Sequence, residues 1–342
     1  MSKLIFFDST LRDGSHAVRH QISTESIKNY CEMIDDAGLH TVIVGHGNGL
    51  GASSLQVGLS LCTDNEMLTV ARQSLKKTKL GVFMLPGFGT IKDDLEPALK
   101  TGVDLVCVGT HCTEADISRQ HIEYVVESGK EVYGVLMMYH RASKEKLLEE
   151  AQKMQEYGAM GVILMDSAGA STPSMVTSTV KYLADNLKVA VGFHGHNNLD
   201  MAVAHSFLAV EAGATIIDGT LKGFGAGAGN CQLEALVALM EKEGIKTGID
   251  LYKILDVADG VVSKIMSKPP EVSSLGIVSG MVGVFSGFAH HVKVAAERFD
   301  VDSRDIFVEL GKLEVVGGQE DAIVKVAISL QTKKARENNL SF

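Results

Sequence analysis

Short runs of β-branched and other apolar residues alternate along this chain with longer segments of helical periodicity, and this alternation constrains the fold more than any other feature. It is typical of repeated βα units that share a parallel sheet. The predicted strands span residues 4–10, 41–47, 80–87, 105–111, 132–140, 161–169, 189–196 and 215–223. Eight βα units favour a closed (β/α)8 barrel, the TIM barrel, over an open doubly wound sheet, which usually has about five or six strands.

The βα alternation stops near residue 262. Pro269 and Pro270, in the sequence SKPPEVSS, exclude a helix there and mark a connector. Three further segments of helical periodicity follow the connector. We therefore predict a TIM-barrel domain, a mainly helical C-terminal domain that contacts a partner or another copy of the chain, and a polar tail, over residues 1–262, 263–335 and 336–342.

Composition and charge exclude several classes of protein. The 342 residues are 45% hydrophobic, which is enough for a large core, and their net charge of -10 argues against nucleic-acid binding. No apolar run reaches the roughly 20 residues that span a bilayer, and the N-terminus lacks a signal-peptide pattern, so we expect no membrane partner and a cytoplasmic location. The five scattered cysteines are typical of core thiols rather than of disulfides or a zinc site: Cys31, Cys62, Cys107, Cys112 and Cys231.

Most of the predicted strands end in a side chain that is capable of chemistry. The C-terminal ends of barrel strands converge on one mouth, where active sites lie, so these residues should share a cavity. The group comprises Asp8, Asp13, His46, His111, His140, Asp166, Ser167, His194, His196 and Lys222. We interpret His46, His111 and His140 as packing or supporting residues rather than as ligands.

The sequence FHGHNN is the most specific of these signals. His194 and His196 stand two residues apart on a strand, so both side chains point to the same face. With a carboxylate from another strand end, for which we choose Asp13, they would form a facial metal site that leaves positions open for a substrate. An alternative is that the two histidines are only polar groups at a solvated rim. Asn230 either supports the metal ligands or caps the following helix.

Five segments carry a resemblance to a known family: DSTLRDGSHAVRHQ, HCTEADISRQHIEY, FHGHNNLDMAVAHSFLAVEAGA, GAGAGN and VGGQEDAIVKVA. Together they resemble the 4-hydroxy-2-oxovalerate aldolases, pyruvate-forming class II aldolases of the HMG-CoA-lyase-like, metal-dependent TIM-barrel superfamily. The similarity extends over nearly the whole chain. TLRDG with the two histidines would indicate only the superfamily, which also contains isopropylmalate and citramalate synthases.

The resemblance implies a retro-aldol cleavage of 4-hydroxy-2-oxopentanoate, or a close 4-hydroxy-2-oxo acid, to pyruvate and acetaldehyde or another short aldehyde. It implies Mn²⁺ held by Asp13, His194 and His196, with Mg²⁺, Co²⁺ and Zn²⁺ as other candidates. Arg12 would contact the enolate oxygen, and His16 would act as the base. An acylating acetaldehyde dehydrogenase would contact the C-terminal domain and receive the aldehyde, so a homo- or hetero-oligomer is expected.

The chemistry of the residues themselves agrees with these roles. Breaking the C3–C4 bond leaves an enolate, whose negative charge a divalent cation and Arg12 would stabilise. His16 has an ordinary pKa near neutrality and suits removal of the C4 hydroxyl proton. A rim salt bridge between Arg12 and Asp13 and a helix cap formed by His16 are the alternatives. Ser167 is predicted to bind the pyruvate carboxylate, and a purely backbone role in its Ser-Ala-Gly turn is an equal alternative.

Two positions depart from the family pattern. Phe285 stands in GVFSGF where the relatives carry a tyrosine near the aldehyde end of the site, so we predict a substrate contact without that hydroxyl. Lys222 replaces a small residue, and we prefer a solvated rim lysine to a Schiff-base nucleophile. The departures leave two alternative functions: another carbon–carbon lyase or Claisen-type synthase of the superfamily that uses a different aldehyde or an acyl-CoA, and a non-catalytic protein that stabilises a dehydrogenase.

Overall fold

Eight parallel strands form a closed barrel in chain order in this computed structural model, which describes residues 3–316 and 318–340, with side chains to residue 336. The strands are β1 Ile5–Asp8, β2 Thr41–Ile43, β3 Lys79–Met84, β4 Leu105–His111, β5 Glu131–Met137, β6 Gly161–Asp166, β7 Ala190–Gly195 and β8 Ile216–Gly219. Strand β1 closes the barrel against β8, with Ile5 opposite Ile216 and Asp8 opposite Gly219. The predicted (β/α)8 barrel is confirmed.

Helices follow the strands and cover the outside of the barrel. Up to residue 265 they are α1 Gly14–Ala17, α2 Thr24–Ile34, α3 Asp64–Ser74, α4 Glu96–Thr101, α5 Arg119–Glu127, α6 Lys144–Glu156, α7 Pro173–Asn186, α8 Ala202–Glu211, α9 Leu233–Lys242, α10 Leu251–Val257 and α11 Ser263–Ile265. Polar side chains begin several of them: Thr63 and Glu66 form a capping box at α3, and Ser143 caps α6.

The strands are buried on both faces, which explains their nearly continuous apolar sequences. Phe7, Phe83, Tyr133 and Ile163 belong to the cluster that fills the barrel interior. The neighbouring Phe6 packs in the layer between the strands and the helices, since successive side chains of a strand alternate between its faces. The chemistry-bearing residues therefore lie above a solid core, at the C-terminal ends of the strands.

The C-terminal helices form a second cluster beside the barrel mouth. They are α12 Ser274–Val282, α13 Ala289–Phe299, α14 Ser303–Lys312 and α15 Asp321–Leu340. Their own core includes Phe288, Val292 and Phe307. The cluster is held to the barrel by hydrogen bonds from the Ser286 N–H to Ser167 O at 3.2 Å and from Arg141 Nη2 to Gly283 O at 2.8 Å. This attachment places the segment 283–287 over the ends of the strands.

The polar tail that the sequence predicts is helical as far as residue 340. Residues 336–340 continue α15, since the preceding Lys333, Lys334 and Ala335 are strong helix formers; residues 341–342 lie outside the described part. The five cysteines are free thiols, and all but the partly buried Cys62 are fully buried. No helix in the described ranges is both long and apolar enough to cross a membrane.

Candidate metal centre and active site

The loop after β1 folds back sharply and places two charged side chains in the barrel mouth. The backbone N–H groups of Arg12 and Asp13 both donate to Ser9 O, at 3.0 and 2.8 Å. Arg12 Nη1 and Asp13 Oδ2 form a salt bridge of 2.7 Å, and each side chain is only 3–4% exposed. The pair is therefore buried at the top of the barrel and is not a salt bridge on a solvated rim.

His194 and His196 reach the same point from the end of β7. Phe193 packs in the outer layer, so His194 and His196, one and three residues later, face the inside of the barrel. One nitrogen from each histidine and one carboxylate oxygen of Asp13 all lie within 4.8 Å of one another, and all three residues are buried. The structure thus brings together the three residues that the sequence predicts as ligands.

Three buried polar atoms around this cluster have no hydrogen-bond partner in the described structure: His194 Nε2, His196 Nδ1 and Asn230 Oδ1. Such atoms are rare, because each unpaired buried group costs about 1–3 kcal/mol. Imidazole nitrogens with a carboxylate are a donor set that binds divalent first-row cations and leaves positions open. The residues therefore fit a divalent metal ion.

Asn230 orients the carboxylate of Asp13. Its Nδ2 donates to Asp13 Oδ1 at 2.8 Å, and the Ala226 N–H donates to the same oxygen at 3.0 Å. The glycine-rich loop permits this approach, since a Cβ at Gly225 would lie 2.1 Å from Asn230 Nδ2. Helix α9 has Gln232 as its N-cap, so the alternative interpretation of Asn230 as a helix cap is wrong.

Burial and charge set the protonation states of the site. Burial opposes ionisation of Asp13, but Arg12 and the neighbouring His196, His16 and His194 together outweigh it and hold the pKa of the carboxyl far below its ordinary value. Burial lowers the pKa of both His16 and His196 to about 4. Both imidazoles are therefore neutral at pH 7, so each keeps a lone pair that accepts a metal ion or a proton.

Arg12 is fixed by contacts on several sides. In addition to Asp13, its guanidinium donates to Ser9 Oγ at 3.3 Å and lies 4.8 Å from the centre of the Phe83 ring. Its Nε is buried and has no partner among the described residues. A rigid guanidinium with an unused donor, next to the metal ligands, is well placed to stabilise negative charge.

His16 lies in α1, one turn beyond Asp13, and lines a cavity of about 850 Å³ together with Asn198 and Gly225. Its ring occupies the space where a side chain at Gly47 would be, since a Cβ there would lie 2.3 Å from His16 Nε2. Asp13 rather than His16 is the residue at the N-cap of α1. The alternative of a helix cap formed by His16 is therefore wrong.

His20 and His46 support the loop around His16. Their rings stack with centroids 3.6 Å apart. His20 Nε2 lies 3.2 Å from Val57 O, and His46 Nε2 lies 3.1 Å from Gly58 O. Both rings thus hold the backbone of the segment between β2 and α3, which agrees with the interpretation of His46 as a supporting residue.

Ser167 and Phe285 lie at the junction with the C-terminal domain. Ser167 is fully buried, and its Oγ accepts the Met138 N–H at 3.1 Å, so the hydroxyl proton is left to donate elsewhere. Phe285 packs edge-on against Phe288, with ring centroids 5.8 Å apart. It also lines a cavity of about 260 Å³ between the ends of β3, β4 and β5, where Leu85 lies.

Three residues that the sequence placed at the mouth have structural contacts instead. Asp8 faces the helix layer, where it accepts the hydroxyl of Tyr30 at 2.5 Å; the direction of a side chain is hard to predict in a strand that is buried on both faces. Asp166 accepts backbone N–H groups of the turn after β6. Lys222 Nζ pairs with Asp259 at 2.8 Å, as expected of a rim lysine.

Sequence reasoning missed Asp218. It lies on β8 two residues after the inward-facing Ile216, so its side chain also points into the barrel. Its Oδ2 lies within hydrogen-bond distance of His194 Nδ1, at 2.9 Å. The signal is present in TIIDG, where an acid stands at an inward position within the predicted strand 215–223.

Comparison with known proteins identifies the family. The HMGL-like family model matches residues 3–261, and the DmpG-like communication domain model matches residues 270–332. A 4-hydroxy-2-oxovalerate aldolase of Pectobacterium atrosepticum is 53% identical over 99% of this chain and 98% of the relative. One of Spirochaeta aurantia is 52% identical over 97% of this chain and 98% of the relative.

The chain belongs to the 4-hydroxy-2-oxovalerate aldolase family. It is therefore a lyase, as the resemblance implied, and the two alternative functions are not favoured. The metal dependence of this family agrees with the cluster of Asp13, His194 and His196.

Solved structures of low identity share the fold. The carboxyl transferase domain of Rhizobium etli pyruvate carboxylase, solved with pyruvate and biocytin, has a TM-score of 0.83 at 15% identity and covers 97% of this chain and 61% of that one. The HMG-CoA lyase of Bacillus subtilis has a TM-score of 0.67 at 20% identity and covers 79% of this chain and 96% of that one. Both structures have a fold similar to that of this chain.

Proposed function

We propose that this chain cleaves 4-hydroxy-2-oxopentanoate, or a close 4-hydroxy-2-oxo acid, to pyruvate and acetaldehyde or another short aldehyde. The observation that carries the proposal is the buried cluster of Asp13, His194 and His196 beside Arg12 at the barrel mouth. Relatives that are about half identical over nearly their whole length bear the name of this aldolase.

Asp13, His194 and His196 would hold the divalent cation, for which we propose Mn²⁺, and Asn230 would keep the Asp13 carboxylate in place. A bound divalent cation supplies Lewis-acid polarisation of the substrate oxygens. The neutral His196 and the ionised Asp13 have the protonation states that such binding needs at pH 7.

Arg12 stabilises the negative charge that develops on the 2-oxo oxygen of the substrate. Its guanidinium is already oriented by Asp13, Ser9 and Phe83, so little reorganisation is needed when the charge appears. Removing one such donor typically lowers kcat by about 10²- to 10³-fold.

His16 accepts the proton of the C4 hydroxyl, which allows the C3–C4 bond to break and releases the aldehyde. The ring is neutral at pH 7 and lines the larger cavity of the mouth. The proton then resides on the imidazole and can be returned to C3 of the enolate, which becomes the methyl group of pyruvate. Positioned bases of this kind contribute about 10²- to 10⁴-fold.

Ser167 and Phe285 are proposed to contact the two ends of the substrate. The Ser167 hydroxyl keeps a proton for the pyruvate carboxylate, because the Met138 N–H occupies only its oxygen. Phe285 would shape the aldehyde end through packing alone, in the cavity that it shares with Leu85. A phenyl ring cannot donate a hydrogen bond, so aldehyde selection there depends on size and shape.

The C-terminal domain, proposed to span residues 263–335, is the surface for an acylating acetaldehyde dehydrogenase. The match to a communication domain over 270–332 supports this assignment and the barrel domain over 1–262, followed by the polar residues 336–342. Large apolar side chains of this region are exposed and available for contact: Ile277, Met281, Val294, Leu313, Val324 and Ile328. A hetero-oligomer is expected, and the cytoplasmic location stays a prediction of the sequence.

Pyruvate release from 4-hydroxy-2-oxopentanoate, measured with a lactate dehydrogenase couple, tests the proposal. The wild type and Asp259→Asn, which removes one exposed carboxylate far from the ligands, should turn over equally, and Asp13→Ala should be inactive. Turnover by Asp13→Ala would contradict the metal centre. No turnover by metal-replete wild type, with turnover of another 4-hydroxy-2-oxo acid, would move the proposal to that substrate.

A further inference from the structure

The buried carboxylate of Asp218 lies between His194 on one side and the pair Ser9 and Arg12 on the other. Its Oδ2 lies 2.9 Å from His194 Nδ1, and its Oδ1 accepts the Ser9 hydroxyl at 2.7 Å. Ser9 Oγ in turn accepts Arg12 Nη2 at 3.3 Å, and the guanidinium lies 3.9 Å from Asp218 Oδ2. A metal ligand and the charge-stabilising arginine therefore share the same support.

The contact with His194 decides which of its nitrogens carries the proton. A carboxylate that accepts from Nδ1 holds the proton there and leaves the lone pair on Nε2. Nε2 is the atom of His194 that is buried without a partner among the described residues, so it is the nitrogen left free for a metal ion. A carboxylate behind a metal-bound histidine also raises the basicity of the ring, and losing it usually weakens metal binding by about 10- to 100-fold.

The charge of Asp218 also suits the substrate class, a point that rests on the proposed function. With a divalent cation present, the charges of Arg12, Asp13 and Asp218 leave one net positive charge in the buried site. The single carboxylate of a 4-hydroxy-2-oxo acid matches it. Without Asp218, two positive charges would face one carboxylate in a region of low dielectric constant, where uncompensated charge is costly.

We propose that Asp218 is a positioning residue with two functions. It fixes His194 in the Nδ1–H tautomer that binds the metal ion, and through Ser9 it holds Arg12 in the position that contacts the 2-oxo oxygen of the substrate. The two branches are separable, because Asp218 contacts His194 through Oδ2 and Ser9 through Oδ1.

Mn²⁺ binding to the metal-free enzyme, followed by the electron paramagnetic resonance signal of free Mn²⁺, tests the first branch without any turnover. Asp218→Asn, which keeps the shape and removes the charge, should raise the dissociation constant about 10- to 100-fold. Asp259→Asn makes the same change of net charge at an exposed position and should bind Mn²⁺ like the wild type. An unchanged constant in Asp218→Asn would overturn this branch, even if its melting temperature fell.

Ser9→Ala tests the second branch, because it removes the hydroxyl that lies between Asp218 Oδ1 and Arg12 and leaves the contact of Asp218 Oδ2 with His194 in place. It should keep the wild-type affinity for Mn²⁺ and lower kcat at saturating Mn²⁺ about 3- to 10-fold, the value of one hydrogen bond. An unchanged kcat would overturn this branch. If wild type fails to cleave the substrate, the proposed function fails while the Mn²⁺ constants still decide the role of Asp218.

Nitrogen-15 NMR of the histidines in the wild type keeps the first branch testable if Asp218→Asn does not fold. A protonated Nδ1 and an unprotonated Nε2 on His194 in the metal-free protein are expected. The opposite tautomer would overturn the proposal without any variant.

Discussion

Replacing Arg12 with alanine should destabilise the metal-free protein far more than the metal-loaded one. Arg12 is the countercharge of Asp13, which is buried, ionised and only 2.7 Å from the guanidinium. Arg12→Ala leaves that carboxylate without a cation. A divalent ion bound by Asp13 would restore the balance of charge, so the damage should depend on metal.

The expected size follows from the burial of the pair, whose side chains are 3% and 4% exposed. Removing one partner of a buried pair costs about 3–5 kcal/mol. At about 2 °C per kcal/mol for a large domain, the melting temperature of the metal-free variant should fall by about 6–10 °C. With Mn²⁺ bound, the contacts of Arg12 with Phe83 and Ser9 are still lost, together worth about 1–2 kcal/mol, and the fall should shrink to about 2–4 °C.

Thermal unfolding in EDTA and in excess Mn²⁺, monitored by circular dichroism for the wild type and the variant, measures both falls. Arg119→Ala is the matched control, since Arg119 and Glu123 form an exposed salt bridge of 2.8 Å; it should change little in either condition. An equal fall for Arg12→Ala with and without Mn²⁺ would refute the reasoning, because Asp13 would then not exchange one countercharge for another.

Three further outcomes are expected. His16→Ala should lower kcat about 10²- to 10⁴-fold. Because burial lowers the pKa of His16 to about 4, the wild-type profile of kcat/KM against pH should not fall through protonation of this base above about pH 5. A fall in kcat/KM near pH 6.5 that is present in the wild type and absent in the variant would contradict the environment described for His16. Burial raises the pKa of Asp8 to about 6, so the folded state binds the extra proton between about pH 4 and 6, and the free energy of unfolding should decrease by about 3 kcal/mol as pH rises through that window. Denaturant titrations should show this decrease in the wild type but not in Asp8→Asn, and parallel pH curves would argue against it. Gly225→Ala should displace Asn230 and weaken Mn²⁺ binding measured by calorimetry, whereas wild-type affinity would show that the loop yields without disturbing Asp13.

The number and order of the strands were predictable because eight apolar runs are separated by segments long enough for helices. The strand ends were not. The run 41–47 holds a strand only over Thr41–Ile43, since the chain then turns to pack His46 on His20. Composition reports which residues are apolar, but the end of a strand depends on where the hydrogen bonds to its neighbours stop.

The cluster of candidate metal ligands was predictable for a similar physical reason. His194 and His196 are two apart, so their common face follows from strand geometry alone, and TLRDG supplied the acid. Asp8 and Asp218 were harder, because both stand in strands whose two faces are buried and apolar. Only the register shows that Asp8 turns outward to Tyr30 and that Asp218 turns inward to His194.

The central claim is that one divalent ion, held by Asp13, His194 and His196, supports cleavage. Stoichiometric addition of Mn²⁺ to the metal-free enzyme, with pyruvate release and bound Mn²⁺ measured on the same samples, tests it most directly. We expect activity to rise in proportion to bound Mn²⁺ and to stop rising at about one ion per chain, and His196→Ala to lose both. Full activity in the metal-free enzyme, or activity that does not follow the bound ion, would contradict the account.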